Sequence, residues 1–454
     1  MTAYSLVADF SNHESSCEVH DTKTVVKVPF LDKEGKLRYG IGNALSGLHK
    51  KGIYPTEEGI DYLCLAGLVY LADTRISRRK HSQDSWTREI KLVLPVFSPE
   101  KWNDVADRFS KMLNFLTGDR WDILFIKRNI SLVPNEIPVF TSTFNVATLF
   151  SGGMDSLIST INNLEQGKKV ALISHAGDGH TKKAQRDLLA QFQESYSEIA
   201  PTYLELWMVH DKMTIPYGGL ENTTRSRSFL FISYGIFAIS GMTGVRELQV
   251  PENGLIALNV PLDGLRVGSH STRTTHPFYL DLWNQVLDKT DMGINTVNPY
   301  WHKTKGEMAA ECLNQQFLLK IIGDSSSCSS PTKSRWGGAR SQHCGYCVPC
   351  LIRRAAINQA FGLDNDPTKY FVEDVNIMIS SHAKSKGVQL RSFQVAINKL
   401  RKHPEIAKTY VFKTGNLDGT SDYLKKAADV YKRGLFEVDD FIQTSLQKSA
   451  DTGE

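Results

Sequence analysis

Phe144 to Ser156 reads FNVATLFSGGMDS. Its first seven residues form the near-continuous apolar run of a strand buried on both faces. Ser151, Gly152 and Gly153 follow as a small-residue turn, and helical spacing runs from about Asp155 to Glu165. A strand that turns through glycines into a helix leaves free N–H groups at the helix start, where the helix dipole also favours an anion. Ser151 and Ser156 add hydroxyl donors. The P-loop of kinase-like NTPases needs a lysine after its second glycine, and this segment has none. The segment therefore predicts a phosphate loop of another kind. Asp155 in the first helical turn serves as a cap, an orienter of the loop or a magnesium ligand.

The pattern continues downstream. Lys169 to Ser174 reads as a strand, Lys182 to Tyr196 as a helix, Tyr203 to Val209 as a strand and Arg227 to Ser240 as a long apolar helix. A further strand pattern begins at Glu247. Strands alternating with helices predict a parallel sheet covered on both faces. The expected fold is thus α/β, with a doubly wound parallel sheet over residues 141–325. Upstream, residues 1–140 predict an α+β accessory domain. Thr24 to Phe30 and Glu89 to Phe97 alternate like strands, Thr56 to Ala72 and Pro99 to Leu116 read as helices, and Pro134 and Pro138 mark a connection. Residues 326–365 form a cysteine-rich module. Residues 366–454 form a helical region, with helices expected at Asp374 to Ala383, Arg391 to Leu400 and Ser421 to Phe436 and frayed residues from Ser449 to Glu454.

The 454 residues suit about three domains. With 41% apolar and 22% charged residues the composition is that of a globular chain. Lys plus Arg is 53 against 49 for Asp plus Glu, a net charge of +4, which excludes a generally basic nucleic-acid coat and leaves room for a local basic groove. Nucleic acid is therefore not indicated as a partner. Tyr62 to Ala72 falls well short of the ~20 apolar residues a bilayer requires, and Phe229 to Met242 is interrupted by serine and glycine. Met1 to Phe10 lacks a basic start and an apolar core. These readings predict no membrane partner and a cytoplasmic protein.

In a reducing compartment the seven cysteines read as ligands, nucleophiles or core residues. Cys328, Cys344, Cys347 and Cys350 lie within 23 residues. Two-residue spacers let thiolates converge on one ion while a ligand from a distant loop closes the tetrahedron, as in structural zinc sites. An iron–sulfur cluster would use the same four ligands. His343 is an alternate ligand or a neighbour of one. Arg335, Arg340, Arg353 and Arg354 surround the site and read by default as solvated. Cys64 reads as a core residue, and Cys312, in AAECLNQQF, as a packed small residue on a helix.

Ser151 to Ser156 match the SGGxDS signature of the PP-loop ATP pyrophosphatase superfamily, and the chain resembles that superfamily. The resemblance implies a HUP-like sheet that binds ATP and Mg2+ and releases AMP and pyrophosphate. It carries ATP contacts onto Ser151, Gly152, Gly153, Met154, Asp155 and Ser156, and onto Ser174, His175 and Ala176 beside the adenine and ribose. Arg225 and Arg227, at the start of the long apolar helix, read equally as phosphate contacts or as solvated helix-start arginines. Lys303, Lys305 and Glu307 resemble the K-T-K-x-E segment of several such families, so Lys303 is assigned to phosphate and Asp155, Ser156 and Lys305 to catalysis.

A PP-loop followed by this cysteine spacing is similar to the QueC family, 7-cyano-7-deazaguanine synthases, over residues 144–360. That likeness implies structural Zn2+, adenylation of 7-carboxy-7-deazaguanine, an amide and then a nitrile. The chain is about twice as long as a QueC enzyme, and its spacing before Cys344 is longer. Val250 to Asn259 and Gly268 to Pro277 look like the longer QueC-like proteins of bacterial anti-phage systems, of the Qat type. There the resemblance places Glu252, Asn253, Arg273, Thr274 and His276 around the base; loop packing is the alternative for each, and His276 before Pro277 could simply order a turn. The implied partners are a 7-deazaguanine substrate and other proteins of a defence operon, one of which could supply the acceptor amine in place of ammonia. A homodimer is compatible with the sequence, which leaves the oligomeric state open. Two rival readings are a tRNA sulfur-transfer enzyme, which needs a catalytic cysteine near ATP, and an ATP-sensing scaffold.

Overall fold

The computed structural model describes residues 3–11, 17–20, 23–82, 84–134, 143–175, 179–262, 273–329, 331–332, 341–381, 386–415, 417 and 421–452. Two five-stranded sheets organise it. The second sheet contains β6 (Val146–Leu149), β7 (Val170–His175), β8 (Thr202–Leu206), β9 (Glu247–Gln249) and β10 (Asn295–Val297), in the order β10-β9-β6-β7-β8. All its pairings are parallel. Alternation along the strands divides its residues between two cores. Val146, Val170 and Leu172 pack with Leu157, Ile161 and Leu188 from the helices Met154–Glu165 and Gly179–Ser195. Ala147, Ala171 and Ile173 pack with Leu230 and Ile236 from the helix Arg227–Ser240. Both faces are therefore covered, as parallel strands require.

The first sheet comprises β1 (Ala3–Asp9), β2 (Cys17–His20), β3 (Lys23–Pro29), β4 (Glu89–Val96) and β5 (Arg120–Lys127), in the order β2-β3-β1-β4-β5. Only the β2–β3 pairing is antiparallel. This corrects the α+β expectation: the N-terminal region is itself built on a mainly parallel sheet, and its helices lie in the connections parallel strands need. The expected helix Pro99–Leu116 is two helices, Pro99–Asn103 and Ala106–Thr117, because Val105 leaves helical geometry at ψ 4° as it buries its side chain.

The helix Glu57–Arg75 joins the two sheets. Thr56 caps it by accepting from the Gly59 N–H at 3.1 Å. It is buried along nearly its whole length against the helix Arg227–Ser240, so closely that a Cβ on Gly59 would lie 2.1 Å from Ser240 Oγ. One apolar cluster runs from Leu6 and Leu92 through this helix to Ile173 and Leu248.

The C-terminal region forms the helices Val375–Ser380, Val388–Lys402, Ile406–Lys413 and Ser421–Thr452. The last is much longer than expected. It continues through Gly434, where the missing side chain admits Leu255; a Cβ there would lie 2.9 Å from Leu255 Cβ. Of the residues read as frayed, Ser449 to Thr452 are helical, and the preceding Lys448 pairs with Asp364 from a distant segment. Among the described residues no helix is long and apolar enough to cross a membrane.

Candidate functional site

After β6 the chain turns through Ser151–Gly153 into the helix Met154–Glu165. Gly152 lies at φ +77°, which disfavours any side chain, and a Cβ there would press on Gln185 at 3.0 Å. Gly153 starts the helix with no side-chain cap, and its N–H turns back to Ser151 Oγ at 3.2 Å. Ser156 Oγ donates to the Gly153 carbonyl at 3.0 Å and lies 3.3 Å from Ser151 Oγ. The two neighbours of β6, β7 and β9, continue the sheet in opposite directions. In open parallel sheets such a switch point, at the carboxyl ends of the strands, is where ligands bind.

Asp155 links the loop to two other segments. Its Oδ2 accepts from the Asn253 backbone N–H at 3.2 Å and from Asn253 Nδ2 at 2.8 Å. Its Oδ1 lies 3.1 Å from Lys305 Nζ, and both side chains are largely buried. Asn253 also caps the helix Gly254–Leu258 by accepting from Ile256 N–H. Lys305 opens the helix Lys305–Ala310, held by a capping box between Thr304 and Glu307. Burial pushes the Glu252 carboxyl up to about 7, with Asp155 nearby adding to the shift; Thr275 Oγ1 donates to Glu252. Lys305 thus stands among carboxyl groups at the mouth of the loop. Asp155 is the carboxylate at the loop that could hold a divalent cation, with Lys305 then free to turn to phosphate.

The carboxyl ends of β6 and β7 shape a small apolar cleft lined by Phe150, Ser151, Ser174, His175, Phe231 and Tyr234. Ser174 Oγ donates to the Phe150 carbonyl at 2.9 Å. His175 is buried, and burial together with nearby Arg227 holds its imidazole down at about 4, so it is neutral at physiological pH. The Arg227 guanidinium lies 5.0 Å from the Phe231 ring centre, at the cleft. From the N-terminal region Tyr70 closes on His175, with ring centres 6.5 Å apart. Ala176 lies outside the described residues.

Other expected site residues point elsewhere. Arg225 stacks over Trp86 at 3.9 Å and donates to the Thr117 carbonyl at 2.7 Å. Lys303 pairs with Glu311. Glu307 bonds Arg433 at 2.6 Å in addition to its capping role. Arg273 donates to the Phe115 carbonyl at 3.0 Å and lies over the Phe115 ring. His276 is fully buried as the cap of the helix Pro277–Lys289: Nδ1 accepts from Phe278 N–H at 3.2 Å, and Nε2 meets Thr414 Oγ1 at 2.9 Å. Burial and Arg273 lower its pKa to about 3. Thr274 is half-buried beside them. Gly268 to Thr272, named with this segment, lie outside the described residues.

The four clustered cysteines converge, with sulfurs all within 4.8 Å of one another. Cys328–Cys347 and Cys344–Cys350 are each 3.9 Å apart. A single tetrahedral ion with bonds of about 2.3 Å to sulfur sets its ligands about 3.8 Å apart, so the cluster fits one metal ion such as zinc. An iron–sulfur cluster places iron and sulfide between its thiolates and needs a wider frame. The Cys347 N–H points at Cys344 Sγ at 3.3 Å, and the Cys344 N–H at Cys328 Sγ at 3.4 Å. Gly345 has φ +86°, and a Cβ there would lie 2.1 Å from the Val372 carbonyl, so the knuckle requires glycine. His343 is not among the converging groups; its Nε2 accepts from Ser327 N–H at 3.1 Å.

Ser325 to Ser327 tie this cluster to the loop, which no sequence signal revealed beyond a serine run before Cys328. Ser326 N–H donates to the Gly152 carbonyl at 2.8 Å, and Met154 N–H reaches Ser327 Oγ at 3.5 Å. Arg353, read as solvated, is instead fully buried, bonding Ser325 Oγ at 2.8 Å, Thr368 Oγ1 at 3.0 Å and the Ile322 carbonyl. Arg354 is also engaged, donating to the Glu373 carbonyl and lying over Tyr370. Arg335 and Arg340 lie outside the described residues. Cys312 is buried, and burial raises its thiol to about 11.

The sequence reading also missed Glu437, on the helix Ser421–Thr452. Its Oε1 accepts from the Gly306 N–H, next to Lys305, at 3.0 Å. Burial raises its carboxyl from 4.5 to about 7. A carboxyl raised in the fold stabilises it fully below the unfolded pKa, and that contribution is lost as pH rises from 4.5 through about 7. Glu437→Gln keeps an acceptor for Gly306 and removes the ionisation. Thermal melts of the variant are expected to match wild type near pH 4 and to exceed it near pH 8, by up to about 3 kcal/mol. No protein-family model matches the chain, and neither does any curated protein.

Proposed function

We propose that the protein uses ATP to adenylate the carboxylate of a 7-deazaguanine base and then joins the acyl group to an amine, in a bacterial anti-phage defence system. The observation that carries this reading is Asp155, fixed at the end of the glycine loop between Lys305 and Asn253. A substrate carboxylate oxygen attacks the α-phosphorus, the bond to the β-phosphate breaks, and pyrophosphate leaves. The amine nitrogen then attacks the acyl carbon, loses a proton and displaces AMP. The loop amides and Lys305 stabilise the negative charge that grows on the departing pyrophosphate. Magnesium, when bound near Asp155, neutralises phosphate charge. Neutral His175 and the small cleft beside it lie at the carboxyl ends of β6 and β7, where the resemblance sets the adenine, and Glu252 can accept hydrogen bonds from the ring N–H and amino groups of the deazaguanine. The cysteine cluster, with Zn2+ as its metal, acts as a brace: a closed four-thiolate site leaves no position for water. The acceptor is ammonia, as in plain nitrile synthesis, or an amine of a partner protein.

Buried Cys312, with its raised thiol, is poorly suited to sulfur transfer. The protein is to be incubated with ATP, magnesium and 7-carboxy-7-deazaguanine, with and without ammonium, and the products weighed by mass spectrometry. The expected result is AMP dependent on the base, with amide or nitrile appearing when ammonium is present. Absence of base-dependent AMP, both alone and with proteins of the same operon added, would favour the scaffold reading.

A further inference from the structure

The C-terminal helices carry a charged face that lies apart from the loop. From Lys386 to Lys413 the chain holds seven Lys or Arg residues against a single acid, Glu405, a local excess larger than the +4 of the whole chain. The helix Val388–Lys402 buries Leu390, Phe393, Ile397 and Leu400 in the C-terminal core. Its other side exposes Val388, Arg391, Val395, Lys399 and Lys402. Val388, Val395 and Lys402 recur every seven residues, which sets them in one stripe along the helix. Val395 is 50% exposed, a large apolar exposure in the middle of a cationic stripe. The adjoining helix Ile406–Lys413 adds Lys408, Phe412 and Lys413, and Lys399 Nζ over the Tyr410 ring at 5.0 Å joins the two helices into one surface. Arg401 is neutralised by Asp439, and Glu405 faces His403. Among the described residues Arg391, Lys402, Lys408 and Lys413 have no carboxylate partner.

Unpaired cations flanking an apolar stripe are complementary to an acidic helix with an apolar seam. A single-stranded nucleic acid would instead call for aromatic platforms under successive bases. Here the stripe presents valines, which have no π-face, and Phe412 on the neighbouring helix is a single exposed ring, short of a platform under successive bases. We propose that this face docks a partner protein through an acidic amphipathic helix, whose apolar residues seat on Val388 and Val395 while its carboxylates meet Arg391, Lys399 and Lys402. Thr414, just after the helix Ile406–Lys413, meets His276, which neighbours Thr275 and through it Glu252. Docking at this face does not depend on the adenylation chemistry.

The test uses the full chain and fluorescence anisotropy with three probes: a helix-stapled peptide of leucine and glutamate heptads, a scrambled peptide of the same composition, and an oligo-deoxythymidine. The expected result is binding of the stapled peptide at least about tenfold tighter than of the other two. Val395→Asp, and separately Lys399→Glu with Lys402→Glu, should each weaken it by about tenfold with the melting temperature unchanged, and salt should weaken the wild-type complex. Equal binding of stapled and scrambled peptides overturns the proposal, as does failure of the stapled peptide to bind at about 100 μM. Tighter binding of the oligonucleotide reassigns the face to nucleic acid.

Discussion

Lys305→Gln is expected to lower the rate of base-dependent AMP formation by about 100- to 1,000-fold, the loss typical when a donor aimed at developing charge is removed. Lys305 is the one cation held at Asp155 by the described contacts, with Nζ 3.1 Å from Oδ1. A substitution there also unpairs a largely buried carboxylate, which costs stability. The variant must therefore be compared with Asp155→Asn, which unpairs the lysine instead. If the lysine serves the departing pyrophosphate, Lys305→Gln depresses kcat with little change in the KM of the base, and melting curves of the two variants shift alike. A rate within about threefold of wild type, with the fold intact, would remove Lys305 from the chemistry.

The second large effect concerns the cysteines. Cys347→Ser, or removal of the metal by a chelator, is expected to abolish stoichiometric metal binding and to lower the melting temperature by about 10 °C or more, since metal binding to such a site is folding free energy. The consequence should reach the nucleotide. Cys328 directly follows Ser326 and Ser327, which bond Gly152 and Met154 of the loop, and buried Arg353 holds Ser325 from the far side. Loss of the metal frees this segment, so ATP affinity should fall by about tenfold, as for a loop whose bound conformation is no longer preorganised. Metal analysis and equilibrium ATP binding on the same sample check both parts. Unchanged ATP affinity in metal-free, folded protein would separate the cluster from the loop.

Much of this was legible in the residues because local chemistry dictates it. The loop at Ser151–Ser156 must turn through glycine, and the structure places Gly152 at φ +77°. Three cysteines at two-residue spacers have few ways to point except at one another, and the fourth, Cys328, arrives from the segment before them. The alternation of strands and helices after Phe144 leads to the parallel second sheet. What stayed hidden depends on long-range contact. Strand periodicity does not distinguish parallel from antiparallel pairing, so the mainly parallel first sheet was not readable. Glu437 lies 132 positions beyond Lys305, and nothing local marks a carboxylate on a long amphipathic helix as the partner of Gly306. Arg353 resembles any helical arginine until its bonds to Ser325 and Thr368 are seen. His276, expected near the base or in a turn, is claimed by the helix it caps.

The central claim is that a substrate carboxylate attacks ATP. The most direct measurement labels both carboxylate oxygens of 7-carboxy-7-deazaguanine with oxygen-18 and weighs the AMP released in ordinary water. Adenylation transfers one labelled oxygen to each AMP. AMP formed at the same rate but carrying no label would mean that water attacks the nucleotide, and would contradict the account.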